Sequence, residues 1–192
     1  VLDSDDWYGL DLSGESAAGE TFSGIDASEA TSTGGTTFTD CTFRDLSFNA
    51  AEFTAAAFVN CTFTGCDFFA AVLTDCKFVG STFDRCKFAQ LRANGGDWSF
   101  VVLKGADLRN VSLTGLRMKE ADLSGVRAEK AVLRNLELTG ASLDRSNLSG
   151  ADLRGSDLSS LDPATVQLRR AIIDPVQAIM IASNLGLVVS AD

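Results

Sequence analysis

From Phe38 to Leu158, every fifth residue of this chain is large and apolar, with two exceptions. The 25 positions hold ten Phe and eleven Leu, with Trp98, Met118, Ala93 and Ala128 making up the rest. Two residues ahead of each runs a second series, Thr36 to Ser156, built only of Ala, Cys, Ser, Thr, Gly, Val and Leu. Residues 36–160 carry 29 charged side chains, and none falls in either series. A period of five matches neither the 3.6 of a helix nor the 2.0 of a strand. It suits a coil of four near-square sides, one pentapeptide per side, with both series pointing inward. Glycine recurs at the last position of the five, as at Gly65, Gly80, Gly105 and Gly115, where a tight corner demands positive φ. The expected fold is all-β: a right-handed quadrilateral parallel β-helix, with a short C-terminal α-helical segment. Successive coils would stack at about 4.8 Å, so seven to eight coils would make a rod of roughly 35–40 Å.

The ends depart from this frame. Trp7, Leu12, Ala17, Phe22, Ala27 and Ser32 keep the period, which slips by one before Phe38; Gly34–Gly35 is the expected site of the extra residue. Glu15 and Glu20 fall at inward positions, so the first coil is expected to be open to solvent. A second irregularity, "LRANGGDW" over 91–98, puts Ala93 at a large position and predicts a bend or local repacking. Beyond Ser160 the period fades. Asp162 before Pro163 reads as a helix N-cap, and so does Asp174 before Pro175, the second helix ending near Gly186. The organisation expected is a repeat rod over 1–160, with a less regular acidic coil at 1–35, and a helical cap and dimerisation segment over 161–192. The apolar residues of that segment, Val176, Ile179, Met180, Ile181, Leu185, Leu187, Val188 and Val189, suit either a lid on the last coil or a dimer contact, with "LGLVVS" as a short pairing strand.

Net charge is −10, and residues 1–40 hold nine acids and no base, against 17 acids and 16 bases over 41–192. Such a chain repels nucleic acid and favours basic partners. Stacking one coil on the next predicts columns of alternating charge, Lys77–Asp97–Arg117–Glu137 and Lys87–Asp107–Arg127, and a threonine ladder, Thr42–Thr62–Thr82. Outward apolar residues remain at Phe69, Phe100, Val59, Val79 and Val102, as ordinary exposure or as a protein contact. There is no histidine, which removes the commonest general base and most zinc sites. Cys41, Cys61, Cys66, Cys76 and Cys86 all sit in the small inward series and read as core filling in a reducing compartment. With no phosphate loop, dinucleotide fingerprint or calcium loop, no enzyme activity, metal or cofactor is expected. No apolar run reaches membrane-spanning length and no basic-apolar leader is seen, so no membrane partner and a cytoplasmic location are expected.

The stretches "GADLRN", "EADLSG", "RSNLSG", "GADLRG" and "GSDLSS" carry variations on the pentapeptide signature A(D/N)LxG, and over 36–160 the chain resembles the pentapeptide-repeat family. Within it, "DLSGESAAGETFSG", "CTFRD", "FVVLKGADLR" and "DPVQAIMIASNLGL" are similar to the mycobacterial fluoroquinolone-resistance and Qnr proteins. That resemblance implies a DNA-mimicking rod that binds DNA gyrase, a type II topoisomerase. It would inhibit the enzyme or protect it from fluoroquinolones and other poisons, and would form a homodimer through the C-terminal segment. Contacts are then expected at the acidic end, at Asp3, Asp5, Asp6, Asp11, Glu15, Glu20, Asp26 and Glu29, or, led by shape, at the centre of the dimer. The alternative is a structural or scaffolding protein of the same fold with no topoisomerase role.

Overall fold

The chain winds into a four-sided parallel β-helix closed at one end by a helix; the computed structural model describes Leu2 and residues 6–190. Three sides carry sheets of two- and three-residue strands. The second side stacks Thr31–Ser32, Glu52–Thr54, Val72–Thr74, Arg92–Asn94, Ser112–Thr114 and Val132–Arg134. The third begins with Ser16–Ala18, Thr37–Thr39 and Ala57–Val59, and the fourth with Thr21–Ser23, Thr42–Arg44, Thr62–Thr64 and Thr82–Asp84. The first side, through Trp7, is held by single parallel bridges: Asp6, Asp26, Ser47, Asp67 and Lys87, then Asp107, Arg127, Asn147 and Gln167. The threonine ladder forms on the fourth side, where Thr21, Thr42, Thr62 and Thr82 are successive partners.

Register shows where the period slips. Asp11 pairs with Thr31, four whole pentapeptides on. Thr31 pairs with Glu52 and Ser16 with Thr37, in each case one residue further than four pentapeptides. From Thr37, which pairs with Ala57, the regular spacing returns. The extra residue therefore lies between Ser32 and Thr37, where Gly34 and Gly35 both have positive φ, 139° and 77°. Corners elsewhere are left-handed too, and the residues there include Asp, Asn, Ala and Arg as well as Gly, but no β-branched residue among those described. A second branch at Cβ is the group a left-handed backbone tolerates least.

The core has two halves. From Phe22 to Phe88 it is a set of stacked ring columns; Phe43, Phe63 and Phe83 lie 4.8 and 4.7 Å apart between centroids, with interplanar angles of 9° and 7°. From Leu103 onward leucines fill the same positions except at Met118 and Ala128, and a void of about 20 Å³ lies among them. The small inward series does more than fill space. Cys61, Cys66, Cys76, Ser81, Cys86 and Ser156 donate to the carbonyls of Phe38, Phe43, Phe53, Phe58, Phe63 and Leu133, at 3.4, 3.5, 3.3, 2.9, 3.5 and 2.8 Å. A carbonyl of the preceding coil is thereby satisfied each time, which explains why Ser and Cys interchange there. Burial pushes the Cys61 thiol up to about 12 and the Cys76 thiol up to about 11, so both stay protonated and unreactive at neutral pH.

The irregular stretch at 91–98 is repacked. Ala93 is buried and its side keeps both neighbours, Leu73 and Leu113. Trp98 packs on Phe78 at 4.7 Å, and its buried Nε1–H finds no acceptor among the described residues. Gly96 is required by close approach: a Cβ there would meet the Cys76 carbonyl and amide. The ladder breaks on the first side instead. Among the described residues, no backbone hydrogen bond joins 86–90 to 106–110, and a hollow of about 430 Å³ lies between them. Two sequence expectations change here. Lys87 pairs with Asp67 at 3.4 Å while Asp107 is held by Arg127 at 2.9 Å, so the predicted Lys87–Asp107–Arg127 column is cut in two. Cys86, expected in the core, is only half-buried because it lines this hollow. The amides of Phe88, Gln90 and Asp107 are thus expected to exchange with deuterium far faster than those of Arg92, Asp97 and Val102 in the same coil, read residue by residue by NMR. Equal protection would contradict the break.

Past Ser160 the rod continues. Asp162 does not start a helix: its carboxylate caps a turn at Ala164 (2.9 Å), and the chain rejoins the ladder at Gln167 and Ile172. Inward Val166 makes this return favourable, since a helix there would expose it. The one helix among the described residues, α1 (Pro175–Asn184), has Asp174 as N-cap, as the Asp-Pro start predicts. A reciprocal capping box with Gln177 completes that end.

Candidate partner-binding surfaces

The pentapeptide aspartate has a local task before any partner is considered. Placed just before the inward residue, it accepts the backbone N–H two residues on. Asp11 takes Ser13 at 2.9 Å, Asp26 takes Ser28 at 2.9 Å, and Asp97, Asp122 and Asp157 do likewise with the serines after them. The serine hydroxyl and amide beside Asp11 and Asp26 hold both carboxyls below the usual aspartate range, so they remain charged at any physiological pH.

The candidate acids then divide by position. Asp6 lies on the first side, Asp11 on the second, Glu15 at the entry to the third and Glu20 at the entry to the fourth, so the sequence order wraps them around the first coil. Asp26 stacks directly on Asp6, and Glu29 sits at the next corner near Tyr8, whose pKa its carboxylate raises. Glu15 is half-buried and Glu20 exposed, with Ala17 and Phe22 half-buried beside them; the first coil is open on that side, as two inward glutamates require. Asp3 and Asp5 lie outside the described residues. With no base in residues 1–40, this end of the rod is a negative ring.

The middle of the rod is balanced. Arg117 reaches Asp97 and Glu137, both at 3.2 Å, Lys119 reaches Glu137 at 2.8 Å, and Arg154 reaches Asp152 at 2.7 Å. The predicted Asp97–Arg117–Glu137 part of the column forms, and each pair is exposed enough to contribute little to stability. Its effect is to cancel charge along the rod.

At the other end, α1 has two faces. Gln177 Nε2 donates to the Leu153 and Ser156 carbonyls at 2.6 and 2.7 Å, and Asn184 Nδ2 to the Leu161 carbonyl at 2.8 Å. These two amides terminate the open carbonyl edge of the last coils, which would otherwise template further pairing. Neither residue stood out in the sequence; the one available signal was a glutamine three places after the Asp174 cap, the spacing of a capping box. Met180 and Ile181 pack against the rod beside them. Val176 (69% exposed) and Ile179 lie on the opposite face, and Leu185, Leu187, Val188 (93%) and Val189 follow with no cover. "LGLVVS" forms no strand within the chain. The helix is therefore a lid by one face and leaves an unpartnered apolar surface on the other.

Two family descriptions fit this architecture: "Pentapeptide repeat region" matches residues 36–115 and "Pentapeptide repeats (8 copies)" matches residues 121–159. The chain belongs to the pentapeptide-repeat family. Among solved structures, this pentapeptide-repeat protein is similar to a trypsin-treated form of QnrB1, described as a plasmid-mediated fluoroquinolone resistance protein. The TM-score is 0.72 at 21% identity, covering 96% of this chain and 92% of that one, which shows a shared fold. HetL, a protein involved in heterocyst differentiation regulation from the cyanobacterium Nostoc, overlaps with a TM-score of 0.44 at 18% identity, covering 89% of this chain and 90% of that one. No curated protein sequence matches the chain. Among the described residues there is no cluster able to hold a metal, and no helix is long and apolar enough to cross a membrane.

Proposed function

We propose that this pentapeptide-repeat protein is a DNA-mimicking ligand of a type II topoisomerase, DNA gyrase. It inhibits the enzyme, protects it from fluoroquinolones or other poisons, or does both. The observation that carries this reading is the negative ring of Asp6, Asp11, Glu15 and Glu20, extended by Asp26 and Glu29, on a stiff rod. The exposed face of α1 and the segment after it pair two rods tail to tail, which places a negative ring at each far end. At about 4.8 Å per coil the pair spans roughly 70–80 Å, the length of about 20 base pairs of duplex at 3.4 Å each. Basic surfaces that normally hold a DNA segment would meet the ring first, and the likeness in fold to a fluoroquinolone-resistance protein supports the same choice.

Charge reversal tests it. Purified protein with Glu15 and Glu20 replaced by lysine, and Asp6 and Asp11 by asparagine, whose amide oxygen can still accept the Tyr8 and Ser13 backbone N–H groups, is expected to lose inhibition of gyrase supercoiling and protection in quinolone-dependent cleavage, while its thermal midpoint stays close to that of the unaltered chain. Undiminished activity of that variant would remove the ring from the mechanism. A scaffolding role is the second reading, favoured by the ion pairs that neutralise the middle of the rod; it is the better one if the unaltered protein leaves gyrase and topoisomerase IV unaffected.

A further inference from the structure

Four of the five cysteines form two pairs stacked one coil apart, Cys41 with Cys61 and Cys66 with Cys86. Cys41, Cys61 and Cys66 are fully buried, whereas Cys86 is half-buried and lines the hollow between 86–90 and 106–110. The Lys87 amide donates to the Cys66 carbonyl at 2.9 Å, and Asp67 and Lys87 are bridge partners. Cys66 and Cys86 are therefore direct neighbours on adjacent coils, with a Cα spacing of about 4.8 Å. A disulfide spans roughly 4.4–6.8 Å between Cα atoms. Both side chains point inward, Cys66 towards the Phe43 carbonyl and Cys86 towards the Phe63 carbonyl, each at 3.5 Å. The Cys86 thiol also hydrogen-bonds to the Cys66 sulfur.

The two pairs differ in what holds the second cysteine. Cys61 is pinned by the coil after it: its amide donates to Ser81 Oγ at 3.0 Å, and its carbonyl accepts the Thr82 amide at 2.9 Å. On the same side of Cys86, no backbone hydrogen bond arrives from 106–110 among the described residues. Cys86 is thus free to move the short distance towards Cys66 that an S–S bond requires, and a small reagent entering the hollow meets its sulfur first. Cys76 has no thiol to pair with, because Ala56 and Gly96 occupy the positions stacked on either side of it.

We infer that Cys66 and Cys86 are a dithiol modification site for hydrogen peroxide, Cys86 reacting first and Cys66 closing the disulfide. The S–H of Cys86 holds the Cys66 thiol below its usual range, and a proton shift along that bond places the thiolate on Cys86, at the hollow. The Cys86 thiolate attacks one peroxide oxygen, the O–O bond breaks, and the departing hydroxide takes up the thiol proton and leaves as water. Cys66 sulfur then attacks the sulfenic sulfur, the S–O bond breaks, and hydroxide leaves with the Cys66 proton as a second water. Two thiols are oxidised by two electrons and one peroxide is reduced to two waters. The disulfide gives up both S–H donors to the Phe43 and Phe63 carbonyls and draws the wall of the hollow inward. None of this depends on the gyrase reading.

The reduced full-length chain, freed of reductant and treated with hydrogen peroxide, tests the site by peptide mass mapping without reduction. Cys86 is expected to be consumed at least about tenfold faster than Cys41, Cys61 and Cys76, and to appear joined to Cys66 in a chain lighter by two hydrogens. In Cys66→Ser the hydroxyl can still donate to the Phe43 carbonyl, as serines do elsewhere in this series, so the rod is kept. Cys86 should then stop at the sulfenic acid, trapped by dimedone. Cys41→Ser should leave the Cys66–Cys86 link unchanged. The site is refuted if the native chain's thiols stay reduced or all disappear together. It is equally refuted if Cys86 oxidises without joining Cys66, or if Cys41 and Cys61 link as fast.

Discussion

Replacing Phe63 by alanine is expected to destabilise the protein by about 3–5 kcal/mol. Phe63 is fully buried and sits mid-column, with Phe43 and Phe83 stacked 4.8 and 4.7 Å away and Phe48, Phe58, Phe68 and Phe78 around it. The cost of a truncation depends on how far its surroundings can collapse into the space. Here they cannot, because the coils above and below are held by backbone pairing at Thr42, Thr62 and Thr82. Phe22→Ala, in the open first coil, removes the same ring from a half-exposed site at the end of its column. It is expected to cost well under half as much. Urea midpoints of the two variants, compared at equal slope, check this. A Phe63→Ala shift no larger than that of Phe22→Ala would mean that the column is not the stabilising unit.

Placing glutamate at both Val176 and Ile179 is expected to convert the proposed dimer to a monomer without unfolding the rod. Both side chains are on the exposed face of α1, away from Gln177 and Asn184, which dock the helix. In a two-fold interface each substitution acts twice, so four carboxylates would have to be desolvated, each at a cost of several kcal/mol. That lowers association by about a thousandfold or more. Light scattering during gel filtration should show the mass of one chain, with an unchanged circular dichroism spectrum and thermal midpoint. If the doubly charged variant keeps the mass of two chains, the apolar face is not the dimer contact. If dimerisation is what places two negative rings at gyrase, inhibition of supercoiling should fall in the same variant.

The rod was legible in the sequence because its period is enforced at nearly every turn. A charge at either inward series would be buried in a column only one side chain wide, with no water and no room for a partner, so only large apolar residues and small ones occupy those positions from Phe38 to Leu158. The slip at Gly34–Gly35 and the loose coil at Glu15 and Glu20 were readable for the same reason. The cap at Asp174 was readable because Asp and Pro occupy set places in a helix start. The matching signal at Asp162 misled: a capped turn and a helix N-terminus begin alike, and whether the turn propagates depended on Val166 and Leu168 finding the last coil.

Other features depend on neighbours one coil away and were invisible until the chain was wound. The break between 86–90 and 106–110 involves residues that keep the period as well as any others, and it alone made Cys86 accessible and cut a charge column. The inward thiols became hydrogen-bond donors only when the winding brought a carbonyl of the preceding coil within reach. Glu15 and Glu20 are nominal core residues by period, and become part of a negative ring because no coil covers their end. That this chain coils, and what fills the coil, therefore follows from its amino acids alone, since the penalty for burying a charge acts at each position separately. Which surface is negative, which is neutral and apolar, and which end is closed were settled by stacking, because each of those properties belongs to residues that meet only across coils.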